Sequence, residues 1–194
     1  MRVSMKKNLK LSVVAMTMLA LSGSALANGT NLDVNFTANI RETTCDMKLV
    51  GGTGSDTQQT LTIGSNSQVR IDDVKAGTAN ANFKIVIVEC PSSLTSLKTT
   101  VKGTASGLLP TGLTNQITGP NGGSDYAAVE ISRESSPTAP FTINATTDSK
   151  RLVWTPTEIQ NKEVPLVATL RETKANSMTI GDFQAVATFE FSYE

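Results

Sequence analysis

Few side chains in this sequence could carry out chemistry. Its 194 residues include no histidine, which excludes Ser-His-Asp and Cys-His nucleophilic arrangements and the usual histidine-based zinc sites. Two carboxylate pairs, Asp72 with Asp73 and Glu130 with Glu134, have the makings of acid–base machinery, but such pairs are ordinarily solvated surface charges. The run Gly51-Gly52-Thr53-Gly54-Ser55-Asp56 fits the opening of a calcium-binding nonapeptide repeat. It occurs once, Gln58 stands where a large apolar residue belongs, and stacked copies are needed to complete each ion's shell, so a flexible loop is expected there. Asn28-Gly29-Thr30, Asn35-Phe36-Thr37 and Asn144-Ala145-Thr146 match the glycan-acceptor pattern, a motif short enough to arise by chance in a chain rich in Asn and Thr. Cys45 and Cys90 lie too far apart for a C-x-x-C redox or zinc motif. The expectation is a protein that is not an enzyme, with no catalytic residue, metal ligand or cofactor.

The elements that hold these residues begin with an export signal. Arg2, Lys6, Lys7 and Lys10 form a basic head, Leu11 to Leu21 an apolar centre, and Ala25-Leu26-Ala27 a small-x-small cleavage site, so residues 1–27 read as a signal peptide removed after Ala27. The apolar run falls short of the roughly 20 residues that span a bilayer, and no later segment reaches that length. In an exported chain, two cysteines are expected to form a disulfide, Cys45 to Cys90. Closing a loop of that length stabilises the fold by roughly 4 kcal/mol in the chain-entropy model. Four basic and no acidic residues leave with the signal, so the remaining 167 residues carry 13 basic and 17 acidic side chains, a net charge of −4. That balance argues against a nucleic-acid or anionic-membrane partner.

Beyond the signal the chain reads as a single all-β domain, because strand-like runs recur between turn-forming clusters and no sustained helical period is present. Candidate strands cover 60–63, 69–74, 82–89, 97–102, 127–133, 151–154, 164–170 and 183–193. The intervening loops cover 51–55, 103–107, 119–124 and 135–140, dense in Gly, Pro and Ser. This many short strands in one domain point to a sandwich. Trp154, the only tryptophan, is expected in the core or an interface. Two segments alternate with unusual regularity. Near the start, Leu32, Val34, Phe36, Ala38 and Ile40 take every other position; at the end, Phe183, Ala185, Ala187, Phe189, Phe191 and Tyr193 do the same. Each must bury one face.

In this order and spacing, four features resemble the chaperone-usher pilins, the subunits of type 1-like fimbriae. They are the alternating arm at a fixed distance before Cys45, the apolar run Phe83-Lys84-Ile85-Val86-Ile87-Val88-Glu89-Cys90, the segment Pro165 to Leu170, and the ending from Gly181 through Ala185, Ala187, Phe189, Phe191 and Tyr193 to Glu194. The resemblance implies an incomplete immunoglobulin-like β-sandwich that lacks its last strand and is completed by a donor strand from a neighbouring subunit. Residues 28–44 become a donor-strand extension running into the first strand, with Leu32, Val34, Phe36, Ala38 and Ile40 facing the neighbour's groove, and residues 45–194 the pilin domain. Ala185, Ala187, Phe189, Phe191, Tyr193 and Glu194 become the groove edge, which a periplasmic chaperone contacts before delivery to an outer-membrane usher. The implied partners are other pilin subunits, that chaperone and that usher. The implied destination is an adhesive fimbria at the cell surface, reached through the periplasm. Two positions depart from the pattern: Ala38 stands where many such arms carry glycine, and Leu170 where tyrosine is frequent. The rival reading is a single-domain ligand-binding module or adhesin with a complete sandwich, which would fold alone as a stable monomer.

Overall fold

The computed structural model describes residues 45–193. Within them, two apolar runs read from the sequence, 82–89 and 164–170, form the longest strands. β4 (Asn80–Glu89) and β9 (Glu163–Glu172) pair antiparallel, β9 pairs on its other side with β7 (Ala127–Arg133), and the sheet is finished by β1 (Asp46–Val50) beside β4 and β6 (Gly112–Thr114) beside β7. A second sheet has β5 (Leu97–Lys102) between β8 (Leu152–Val153) and β10 (Thr188–Tyr193). A small hairpin, β2 (Thr53–Gly54) with β3 (Gln59–Thr60), occupies the glycine-rich run in which a loop is expected. The order β1-β4-β9-β7-β6 leaves β1 as an outer edge of the large sheet; the order β10-β5-β8 leaves β10 as an outer edge of the small one.

The inward residues of every second position meet in a core. Ile85 and Ile87 of β4, Ile131 of β7 and Val164 and Leu166 of β9 face Leu97 and Val101 of β5, with Leu152 and Trp154 filling between. Trp154 is buried, and its indole Nε1–H donates to Thr99 Oγ1 at 2.9 Å, so the polar tip is satisfied inside the sandwich. A second cluster continues the large sheet's inner face toward one end, built from Ala127 and Val129 of β7 and Ala168 and Leu170 of β9. A disulfide joins Cys45, just before β1, to Cys90, just after β4.

Four expectations need correction. The run 69–74 is not a strand; Ile71–Ala76 is a helix, α1, with Asp72 and Asp73 in its first turn, Lys75 in its last, and Gly77 closing it at φ 71°. Its six residues are too few to display a helical period, and Val69, Ile71 and Val74 mimic a strand's spacing. Of 60–63 only Thr60 stays in a ladder; Leu61 and Ile63 pack instead against the second cluster. The strand 151–154 shortens to two residues. Of 183–193 only Thr188–Tyr193 is laddered. The reason lies next door, where β5 ends at Lys102 and the chain bends away to pair Ala105 with Leu113 of β6. Asn144, offered above as a glycan acceptor, donates from Nδ2 to Gly103 O at 2.9 Å and accepts from Gly103 N–H at 3.2 Å, which fixes that bend.

A second short helix, α2 (Pro156–Asn161), begins at a reciprocal cap: Thr155 Oγ1 accepts from Glu158 N–H, and Glu158 accepts from Thr155 N–H. Arg133 meets the same carboxylate with two bonds, at 2.8 and 3.0 Å, and donates to Val153 O at 2.6 Å. Burial alone would raise the Glu158 carboxyl, but the Arg133 guanidinium and the Thr155 N–H outweigh it and hold the group below the usual glutamate range.

Candidate functional site

One side of the sandwich closes on itself, because the chain leaving β5 crosses to β6 and links the two sheets. The other side does not. Along β10 the polar residues Thr188, Glu190 and Ser192 face solvent, with Glu190 paired to Lys102 at 3.1 Å. Their alternates Phe189, Phe191 and Tyr193 turn inward onto the core, as do Ala185 and Ala187 just before. These side chains are only partly covered, whereas Leu97, Thr99 and Val101 on the neighbouring strand are 0 %, 0 % and 1 % exposed.

Across from β10 stands the outer edge of β1, whose Met47 and Leu49 are also partly buried against the core. Between the edges lies a floor from β4, where the rings of Phe83 and Phe189 meet with centroids 5.9 Å apart. Burial and the negative charge of Asp46, the first residue of β1, push the Tyr193 phenol up, placing those two residues together at one end of the opening. At the opposite end Phe183 joins Leu61 and Ile63 over the second cluster, where a cavity of about 530 Å³ also touches Val74, Leu170 and Met178. The result, among the described residues, is an apolar groove between two outer strand edges, of which β10 has one row of backbone N–H and C=O groups outside any ladder, while on β1 Leu49 N–H already donates to Asp56 O at 2.7 Å and Leu49 O accepts from Gln59 Nε2 at 2.8 Å. Such a surface has one evident chemistry, the binding of an extended apolar chain through ladder hydrogen bonds.

Of the residues singled out in the sequence, Ala185, Ala187, Phe189, Phe191 and Tyr193 line one wall of the groove. Leu32, Val34, Phe36, Ala38, Ile40 and Glu194 lie outside the described residues. The opposing wall, Met47 and Leu49, was missed by the strand reading. Its signal is faint, a five-residue strand in which only Met47, Leu49 and Val50 are apolar. Gly181, part of the C-terminal pattern, has a spatial reason to be glycine, since a Cβ there would come within 2.5 Å of the Gly123 and Ser124 backbone. The carboxylate pairs go separate ways. Asp72 is 3.7 Å from Arg70 on the surface; Glu130 holds Arg171 and accepts from Thr111, while Glu134 accepts from Asn82.

Solved structures share this two-sheet fold. The P pilus rod subunit PapA superposes with a TM-score of 0.51 at 17% identity, over 84% of this chain and all of that one. The fold is thus an incomplete immunoglobulin-like sandwich. The family model described as "Fimbrial protein" matches residues 34–194, and the chain belongs to that family. It is also 28% identical to the fimbrial-like protein YadM of Escherichia coli K12 over 186 residues, 94% of this chain and 96% of that protein. Membership makes it a structural subunit of a pilus.

Proposed function

We propose that this subunit polymerises by donor-strand exchange. The arm of one copy, residues 28–44, enters the groove of the next, with Leu32, Val34, Phe36, Ala38 and Ile40 turned toward the partly covered row from Ala185 to Tyr193. A periplasmic chaperone fills the groove first, pairing along the strand that ends at Tyr193, and an outer-membrane usher receives the subunit. The fibre then stands on the cell surface and contributes to adhesion. The observation that carries this reading is the outer edge of β10, facing the outer edge of β1 across aromatic residues that the described chain leaves partly exposed.

The energetics favour it. Burying Leu32, Val34, Phe36 and Ile40 at about 1.5–3 kcal/mol each offers on the order of 6–12 kcal/mol per junction before ordering costs. Ladder bonds along β10, and along the part of β1 before Leu49, add to this, and an empty groove leaves apolar surface in water. A complete, self-sufficient binding module has no use for two such edges beside an uncovered core. The test is to express the mature chain without Asn28–Ile40. It should still accept an arm peptide yet fail to extend a fibre; polymerisation as efficient as that of the full chain would refute the mechanism.

A further inference from the structure

At the Phe183 end, the wall of the groove has no sheet to hold it. The neighbouring strand departs at Gly103, and the backbone from Phe183 to Ala187 lies outside any ladder. One side chain makes the most bonds in its place. Asn115 Nδ2 donates to Ser124 O at 2.9 Å and to Asp182 O at 2.8 Å, while its Oδ1 accepts from Ile117 N–H at 3.1 Å and Gln184 N–H at 3.0 Å. Two donated and two accepted bonds use the full capacity of a carboxamide. The neighbouring backbone reinforces the staple, with Gln116 N–H donating to Gln184 O and Asp182 N–H to Gly122 O, both at 2.8 Å. The close seat of Gly181 on Gly123 completes it.

We propose that Asn115 is a positioning residue for strand capture, holding the unladdered wall from Phe183 to Ala187 in the geometry that an incoming strand requires. The proposal rests on the donor-strand reading and adds to it the device that prepares the groove. Before capture, the hydrogen bonds that tie this stretch among the described residues are at Asp182–Gln184 and at Thr188, where the ladder with Lys102 begins. After capture, the guest strand supplies ladder bonds of its own, so the staple matters for the rate of filling more than for the stability of the filled state. Aspartate at this position keeps the shape, loses both donors and sets a negative charge against two carbonyl oxygens. Alanine loses all four bonds.

The test is to refold the full mature chain from denaturant with a fluorescent peptide of residues 28–44, following capture rate and then the melting temperature of the filled complex. Asn115→Asp and Asn115→Ala should capture about ten-fold or more slowly, the loss expected when a fully satisfied polar staple is removed, with the filled complex melting as wild type does. Asn115→Ser, which keeps one donor and an acceptor, should fall between. Glu190→Gln, on the solvent face of β10, should capture at the wild-type rate. Wild-type capture rates in the Asn115 variants would overturn the proposal, and so would slowed capture matched by an equal loss of melting temperature in the filled complex. A wild-type chain that captures no peptide overturns the donor-strand reading itself, and the proposal with it.

Discussion

The two long sides of this sandwich are made of similar residues and end in different states. On one, the chain leaving β5 crosses to β6, and Leu113 at that crossing and Leu152 of β8, the strand on the far side of β5 from β10, are buried. On the other, Phe189, Phe191 and Tyr193 point into the same core from the very next strand and remain partly in water. Apolar alternation is thus no guide to closure. A face is sealed only where another strand lies over it, and β1 and β10 have none between them among the described residues.

That contrast can be broken by mutation. The largest effect is expected on the sealed side, where Trp154→Ala removes a buried ring and orphans the Thr99 hydroxyl; urea unfolding should show a loss of about 3–5 kcal/mol, the same with or without arm peptide. On the open side, Phe191→Ala should cost about 2 kcal/mol in the empty subunit, where the ring is already mostly covered, and roughly 3 kcal/mol once peptide covers the rest, so the difference between the two titrations measures the guest's contribution. Equal losses in both states would mean that Phe191 is already fully covered. The smallest effect belongs far from the groove. Because Glu158 titrates below its unfolded value, its pairing with Arg133 stabilises the fold above the ordinary glutamate pKa, and the contribution disappears as pH falls through the lower folded value. Glu158→Gln should therefore remove about 1 kcal/mol at neutral pH and flatten the acid limb of a melting-temperature profile, with no change in peptide capture.

Much of this was legible in the residues. The strands 97–102 and 127–133 stand where alternation puts them, and β4 and β9 overrun their sequence-read limits by two or three residues. Their inner positions are mostly apolar, and where β5 breaks the pattern at Thr99 the hydroxyl is satisfied by Trp154. The helix at Ile71–Ala76 escaped because one and a half turns cannot display a period, although Gly77 and the acidic first turn are its proper signals. The capped turn at Thr155–Glu158 carried the T-x-x-E signature with proline between, a local pattern that the search for strands passed over. The groove was half legible. Its C-terminal wall announces itself through phenylalanines at every second position, while the β1 wall is short and mixed. The loss of the ladder before Thr188 depends on where a neighbouring strand turns away, which no local pattern in 183–187 encodes. Asn115 was invisible for a related reason: its four partners come from three separate stretches of chain, brought together only by the fold.

The most direct measurement is thermal denaturation of freshly refolded mature chain with and without a synthetic peptide of residues 28–44. A groove that needs a guest strand should give a melting temperature that rises with peptide concentration, as mass action requires when only the folded state binds. A melting curve that ignores the peptide at every concentration would mean that the sandwich is already whole, and the account of an open side would be wrong.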